Sequence, residues 1–408
     1  MSFTDLNLCP EILKALAELG FVTPTPIQAA AIPKALTGID LSASAQTGTG
    51  KTAAYILPII NRWVANSGKK WKGPCALILV PTRELAMQVA EETQKYSKYL
   101  PRLKTVCIYG GAPYPLQNKQ LSRPYDILVA TPGRLIDHLE RGKIDLSQLE
   151  VFVLDEADRM LDMGFIAPVE QIAAAMPVGR QTLLFSATLK GNVLNLSRRL
   201  QNNPTDISVD HEHAKHENIE QRLHYTDSLT HKFRLLNHLL SDPEINQAIV
   251  FTSTKRHADQ LVEELFESGH RAAALHGDMN QRQRSRTLLR LRQGEIRILI
   301  ATDVAARGID VQTISHVINF DLPRNVEDYV HRIGRTGRAG ANGIAMSFAD
   351  VRDKGLVRRI EQFTGQPITT HVIAGMEPSM KNAGAGPRPG GGRNRFQQGR
   401  RPPNRSAR

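Results

Sequence analysis

The sequence predicts an α/β protein: two tandem parallel-sheet domains joined by a flexible hinge, followed by a disordered basic C-terminal tail. Three observations carry that reading. Short apolar runs recur along the 408 residues: "ALILV" (76–80), "DILVAT" (126–131), "VFVLD" (151–155) and "TLLFSAT" (182–188), then "AIVFT" (248–252), "RILIAT" (297–302), "HVINFD" (316–321) and "GIAMSF" (343–348). Helix-length segments such as "RHADQLVEELFESG" separate them, and runs that are apolar on both faces mark strands buried in a parallel sheet. The series occurs twice, with the polar, aperiodic stretch "DHEHAKHENIEQ" (210–221) between the two halves. The first domain is therefore placed at 1–208, the hinge at 209–217, the second domain at 218–375 and the tail at 376–408.

Charge and composition narrow the function classes. The net charge is +12, which points to an acidic partner. About two thirds of it sits beyond Glu377, where Lys381, Arg388, Arg393, Arg395, Arg400, Arg401, Arg405 and Arg408 follow with no acid among them. That Gly/Pro/Arg-rich tail cannot bury a core, and nonspecific RNA contact explains its unneutralised arginines better than a merely solubilising role. The folded body is only mildly basic, so its polyanion sites must be specific. Cys9, Cys75 and Cys107 form no C-x-x-C pair, which argues against a disulfide framework or a thiolate zinc site and suits a reducing cytoplasm. The N-terminal "MSFTDLNLCPEILKAL" has no basic start followed by an apolar run, and no stretch reaches membrane-spanning length. His211, His213 and His216 read as linker composition rather than metal ligands, since no ordered scaffold accompanies them.

The chemistry begins at "SASAQTGTGKT" (42–52), which leads into the helical "AAYILPIINRWV". Gly48 and Gly50 permit a tight turn whose amides face phosphate oxygens at a helix N-terminus, with Ala45, Gln46, Thr47 and Thr49 completing the loop. Lys51 is placed to reach the β- and γ-phosphates and the hydroxyl of Thr52 to hold Mg²⁺. Ala45 stands where the G-x-x-x-x-G-K-[ST] pattern has glycine, and it is small enough for the same approach. Then "VFVLDEAD" (151–158) ends a buried strand in Asp155 and Glu156, at the edge where open parallel sheets bind ligands. Asp155 can hold Mg²⁺ through water, and Glu156 can polarise an attacking water. Such a pair also serves as a helix cap, but with the Lys51 loop upstream it points to a P-loop NTPase.

"HRIGRTGR" (331–338) crowds Arg332, Arg335 and Arg338 into one segment. Like charges this close are unfavourable without an anion between them. A helix capped by Asn325 and ended by Gly334 is expected through "VEDYVHRI". It delivers Arg335 and Arg338 to the γ-phosphate, leaves Arg332 a supporting role, and gives His331 a part in coupling sites rather than in proton chemistry.

These motifs resemble the DEAD-box RNA helicases of superfamily 2, over residues 1 to about 370; the literal "DEAD" is Asp155 to Asp158. The resemblance implies two RecA-like domains and an ATP- and Mg²⁺-dependent, RNA-stimulated hydrolase. It assigns 1–29 to the adenine-reading Q motif, with Gln28 and Phe21 in "GFVTPTPIQ" and Phe3 at the distance of the stacking aromatic. Pro81, Thr82 and Arg83 of "PTRELA", Gly110 and Gly111, and Thr131, Pro132 and Arg134 of "TPGR" match segments that hold the RNA backbone. Ser186 and Thr188 of "SAT", together with Asp158, match those that couple hydrolysis to RNA release. In the second half, Thr252 of "IVFTST", Gln281 and Arg284 of "QRQR", and Thr302 and Arg307 of "ATDVAARGID" are carried over to RNA contact, and Asp310 to the ribose.

Backbone contacts carry no sequence information, so RNA recognition should be largely sequence-independent, over single strands and short duplexes. The compact body and basic tail resemble bacterial RhlE-type members, which implies a cytoplasmic monomer acting in ribosome assembly or RNA turnover, with ribosomal particles or RNA-decay proteins as partners. A DNA-translocating helicase fits the Q motif and the "DEAD" spelling poorly. An ATP-gated RNA clamp would use the same ATP site, so the sequence leaves that alternative open.

Overall fold

The computed structural model describes residues 1–45, 48–69, 71–208, 218–306, 311, 313–337 and 341–379. Among them the first sheet is built of β1 (Leu41–Ser44), β2 (Ala76–Leu79), β3 (Thr105–Ile108), β4 (Ile127–Ala130), β5 (Val151–Leu154), β6 (Gln181–Ser186) and β7 (Thr205–Ser208), in the order β3-β4-β2-β5-β6-β1-β7. The second is built of β8 (Ile219–Tyr225), β9 (Ala248–Phe251), β10 (Ala272–Leu275), β11 (Ile298–Ala301), β12 (His316–Asn319), β13 (Gly343–Ala349) and β14 (Thr369–Thr370), in the order β10-β11-β9-β12-β13-β8-β14. All the strand pairings are parallel. Numbered from each sheet's own first strand, the two orders are identical. These are the two RecA-like domains.

Period-2 burial explains why both sheets read as continuous apolar runs. In β5, Val151 and Val153 pack into one cluster and Phe152 and Leu154 into another on the opposite face. In β9, Ala248 and Val250 face one way, Ile249 and Phe251 the other. Helices cover both sides, and each fully buried Leu, Ile or Val contributes about 1.5–3 kcal/mol.

All eight apolar runs form strands. Just inside the second domain, placed from 218, Ile219 opens β8, paired along its length with β13 from Ile219↔Gly343 to Tyr225↔Ala349. "IEQRLHY" is too polar to announce a buried strand; its neighbours make it one. Residues 376–379, placed in the tail, are held against the second domain. His231 Nε2 lies 3.0 Å from the Met376 carbonyl, and the Ser379 amide and hydroxyl both donate to Asp227 Oδ2 at 2.6 Å. The hinge at 209–217 and the tail from 380 lie outside the described residues. No helix among those described is long and apolar enough to cross a membrane.

Candidate functional site

The strand order sorts the motifs into two groups. On the β5-β6-β1 half of the first sheet, the C-terminal ends carry Asp155–Asp158, Ser186–Thr188 and the Gly48–Thr52 loop. On the β3-β4-β2 half they carry Gly110–Gly111, Thr131–Arg134 and Pro81–Glu84. One sheet edge thus holds a phosphate-type site beside a second, separate group.

Gly50 caps the helix Lys51–Ala65 at φ 89°, with no side-chain cap on the helix amides. A Cβ there would be strained and would collide with Gln28 Nε2. Gln28 Nε2 donates to the Gly50 carbonyl at 3.1 Å, while its Oε1 accepts the Thr25 amide at 2.9 Å. The Q-motif glutamine is thereby hinged to the phosphate loop. Phe21 is 47% exposed, whereas Phe3 is 5% exposed inside the core. Phe3, expected at the stacking position, lies in the apolar core that also holds Leu6, Leu8 and Ile12. Lys51 is buried beside the carboxylates. Gln46 and Thr47 lie outside the described residues.

Asp155 is buried at the end of β5. Burial pushes its carboxyl up to about 6, with Lys51 pulling the other way and the Glu156 charge adding to the rise. Its Oδ2 accepts the Tyr55 hydroxyl at 2.8 Å and its Oδ1 the Glu156 amide at 2.9 Å. Glu156 sits at φ 52°, ψ 51°, a left-handed backbone costing roughly 1–2 kcal/mol for a non-glycine residue. Strain of this kind persists where the surroundings over-determine it, here at the strand end that presents the carboxylates. Asp158 accepts the Ala187 amide on Oδ2 at 3.0 Å, and its own amide donates to Ser186 Oγ at 3.3 Å. The Thr188 amide shares that Ser186 hydroxyl at 3.3 Å, so the end of "DEAD" is wired directly to "SAT".

In the second domain, Asn325 caps the helix Val326–Ile333 through Asp328 N at 2.8 Å, and Gly334 ends it, as the sequence predicts. Arg332 is fully committed. It grips Asp303 through Nε at 2.6 Å and Nη2 at 2.8 Å, donates from Nη1 to Asn319 Oδ1 and the Asp321 carbonyl, and lies over Phe251. Its role is to lock this helix to the sheet. Arg335 Nε donates to the His331 carbonyl at 3.2 Å. Arg335 and His331 line a small crevice between the domains, met from the first by Arg159, whose Nε is 3.6 Å from Glu156 Oε2. Arg338, Arg307 and Asp310 lie outside the described residues.

The other group of strand ends opens on a cleft of about 350 Å³ between the domains. Pro81, Thr82, Arg83, Gly110, Thr131 and Arg134 line it from one side, and Gly277, Met279 and Arg284 from the other. Gly111, at φ 87°, leaves the space that Arg83 occupies. Among the described residues, the domains are bridged by Arg284 Nε to Glu84 Oε1 at 2.8 Å and by Arg83 Nη1 to Gln281 Oε1 at 3.4 Å. Arg284 also donates to the carbonyls of His276 and Ala305.

Residues 25–196 match the DEAD/DEAH box helicase family, and residues 231–340 match the helicase conserved C-terminal domain. Over 397 residues the chain is 44% identical to the ATP-dependent RNA helicase DeaD of Mycobacterium tuberculosis, covering 95% of this chain and 69% of that protein. The chain belongs to the DEAD-box family of ATP-dependent RNA helicases. Among solved structures, Saccharomyces cerevisiae Dbp5 bound to RNA and ADP BeF3 is 33% identical and superposes with a TM-score of 0.81 over 91% of this chain and 95% of that one. A DEAD box protein of Methanococcus jannaschii is 41% identical, yet reaches only 0.52 over 91% and 99%. The more similar sequence superposes less well.

Within the DEAD-box site, several expected residues have other duties. Thr252 is fully buried, its hydroxyl donating to Asp321 Oδ2 at 3.0 Å, and its side chain does not reach the cleft. Arg134 is tied to the Ala112 carbonyl at 2.9 Å and Gln117 Oε1 at 3.0 Å and stacks on Tyr114, so it braces the Gly110–Gly111 loop. Pro132 begins the helix Pro132–Glu140, and Thr302 stands at the end of β11 with its amide on the Leu275 carbonyl. Sequence reasoning missed Tyr55, Glu84 and Arg159, as well as Met163 and Phe165, which also line the cleft. Only Arg159 gave a signal, its charge one turn beyond Glu156.

Proposed function

We propose that this ATP-dependent RNA helicase couples RNA-stimulated ATP hydrolysis to closure of its two domains on a single strand, and that closure separates short duplexes locally. The observation that carries the reading is the division of one sheet edge into an ATP half and an RNA half, each completed by the facing domain. Phe21 and Gln28 meet the adenine, and Lys51 and the Gly48–Gly50 amides receive the phosphates. Glu156 takes the proton of the attacking water, while Arg335 and Arg338 stabilise charge on the γ-phosphoryl group, a contribution of about 10³–10⁵ in rate.

The residues fit Mg²⁺. Thr52 and Asp155 offer a hydroxyl and a carboxylate, hard oxygen donors, and no group of three or more His, Cys, Asp or Glu residues able to hold a metal occurs among the described residues. Few protein oxygens suffice, because Mg²⁺ usually keeps several waters and takes further oxygens from substrate phosphates, and Asp155 would hold it through water. When bound, it neutralises charge on the β- and γ-oxygens. In the cleft, Pro81–Arg83, Gly110–Gly111 and Thr131 would receive the RNA backbone, a sequence-independent contact. Ribosomal or messenger RNA and a cytoplasmic setting remain part of this proposal.

Turnover measured with single-stranded RNA, single-stranded DNA and no nucleic acid tests it. RNA alone should stimulate. Equal stimulation by DNA would sink RNA selectivity, and tight ATP-dependent RNA binding with negligible turnover would replace the helicase reading by a clamp.

A further inference from the structure

Tyr55 touches three parts of the ATP half at once. It follows Lys51 by four residues and Thr52 by three on the helix Lys51–Ala65, so its side chain shares a face with both. The ring is fully buried and meets Phe185 edge-on, centroids 5.2 Å apart at 61°, immediately before Ser186. Its hydroxyl donates to Asp155 Oδ2 at 2.8 Å, with the Thr52 hydroxyl as its other polar neighbour. The Glu156 amide holds Oδ1 at 2.9 Å, so the carboxylate is gripped through both oxygens.

Packing alone does not ask for that hydroxyl. Phenylalanine would fill nearly the same volume in this apolar cluster, and a buried hydroxyl is unfavourable unless it is paired. We propose that Tyr55 is a positioning residue whose hydroxyl holds the Asp155 carboxylate in one orientation toward the phosphate-loop helix, ready for nucleotide-bound Mg²⁺. The effect would pass along a physical chain. The helix that carries Lys51 and Thr52 sets Tyr55, Tyr55 sets the end of β5, and Phe185 ties both to the strand that ends at Ser186. This rests on the assignment of Asp155 to Mg²⁺ made above.

The test is Tyr55→Phe in the full chain, with Asp155→Asn and the double variant beside it. The affinity for a fluorescent ADP analogue is titrated against free Mg²⁺ and again in EDTA. In Tyr55→Phe, affinity in EDTA and nucleotide-free RNA affinity should match the parent, and the thermal midpoint should fall by no more than a few degrees. The Mg²⁺ concentration needed for half of the nucleotide tightening should rise about tenfold, as a lost hydrogen bond to a charged group allows. In the Asp155→Asn background, Tyr55→Phe should add nothing further, because it acts through that carboxylate. An unshifted Mg²⁺ titration in Tyr55→Phe alongside a shifted one in Asp155→Asn overturns the role of Tyr55 alone. An equal loss in EDTA assigns the hydroxyl to packing. No shift in either single variant removes the Asp155 assignment as well.

Discussion

The first strand of each domain runs into a helix, and the two junctions show how one topology serves two ends. After β1, Gly50 caps the helix Lys51–Ala65 with no side chain on its amides. After β8, Ser228 caps the helix Leu229–Leu240, its hydroxyl accepting the His231 amide at 3.1 Å, with the Asp227 carboxylate beside it. A side-chain cap occupies an N–H group that a glycine turn leaves for an anion, and a carboxylate there repels phosphate. The fifth strands diverge likewise. β5 ends in the strained Glu156 and buried Asp155. Beyond β12, Asp321 is spent internally on Thr252, Ser253 and Lys232; burial alone would raise its carboxyl, but His257, Lys232 and the Ser253 amide hold it well below the usual range. The second domain's junction is thus not arranged to receive a phosphate, and in the proposed reading that domain supplies arginines to its neighbour's site.

If that division of labour is right, removing the first domain's base should have the largest effect. Glu156→Gln should lower steady-state ATP turnover by about 10³-fold or more while the ATP-dependent RNA complex still forms. Preserved turnover in a phosphate-release assay would take Glu156 out of the reaction. Next in size is Arg335→Ala, expected to lower kcat by about 10³ while leaving nucleotide affinity close to the parent. An affinity loss as large as the rate loss would mean that the second domain binds ground-state nucleotide, and the contrast between the domains would fail.

The Glu84–Arg284 pair tests the facing surfaces rather than the chemistry. It is buried across the domain boundary, and breaking such a pair is costly because one charge is left unpaired. Glu84→Gln should raise the RNA concentration for half-maximal ATPase about tenfold or more, with basal nucleotide binding unchanged. Exchanging the two charges, Glu84→Arg with Arg284→Glu, should recover part of that loss. No recovery would show that each residue acts by itself on RNA.

What could be read from the sequence depended on range. The phosphate loop, "DEAD" and the Asn325-capped helix are local constellations, each specified by residue types a few positions apart. Strands with apolar residues on both faces announced themselves for the same reason. Phe3 and Phe21 are both aromatic and both near the Q motif; only packing decides that one is core and the other open. Glu84 meets Arg284 across two hundred positions, and Tyr55 meets Asp155 across a hundred, so neither pairing has a local signature. β8 shows the same limit for secondary structure, since its partners β13 and β14 lie far along the chain.

The smallest effect expected is a divergence of the two domains in mild acid. In the second domain, burial drives His224 down to about 4, next to His371 and Arg222, with Phe348 edge-on to its ring. Its Nε2 has no hydrogen-bond partner among the described residues. The folded value lies below the ordinary 6.5, so the unfolded chain takes up the proton first. His224 therefore contributes stability that is whole above 6.5 and lost as the pH falls toward 4, about 1–2 kcal/mol by pH 5. Asp155 runs the other way. Its folded carboxyl lies near 6, above the ordinary 3.8, so the folded first domain binds a proton that the unfolded chain does not, and stability rises as the pH falls between those values. Trp63 and Trp71 are the chain's two tryptophans and both lie in the first domain, so their fluorescence follows that domain, while amide exchange in β8 and β13 follows the other. Between pH 7 and pH 5, protection of β8 and β13 should fall relative to the tryptophan transition, and His224→Phe should flatten that change. Parallel loss of both signals would place the acid sensitivity at the boundary between the domains instead of inside the second.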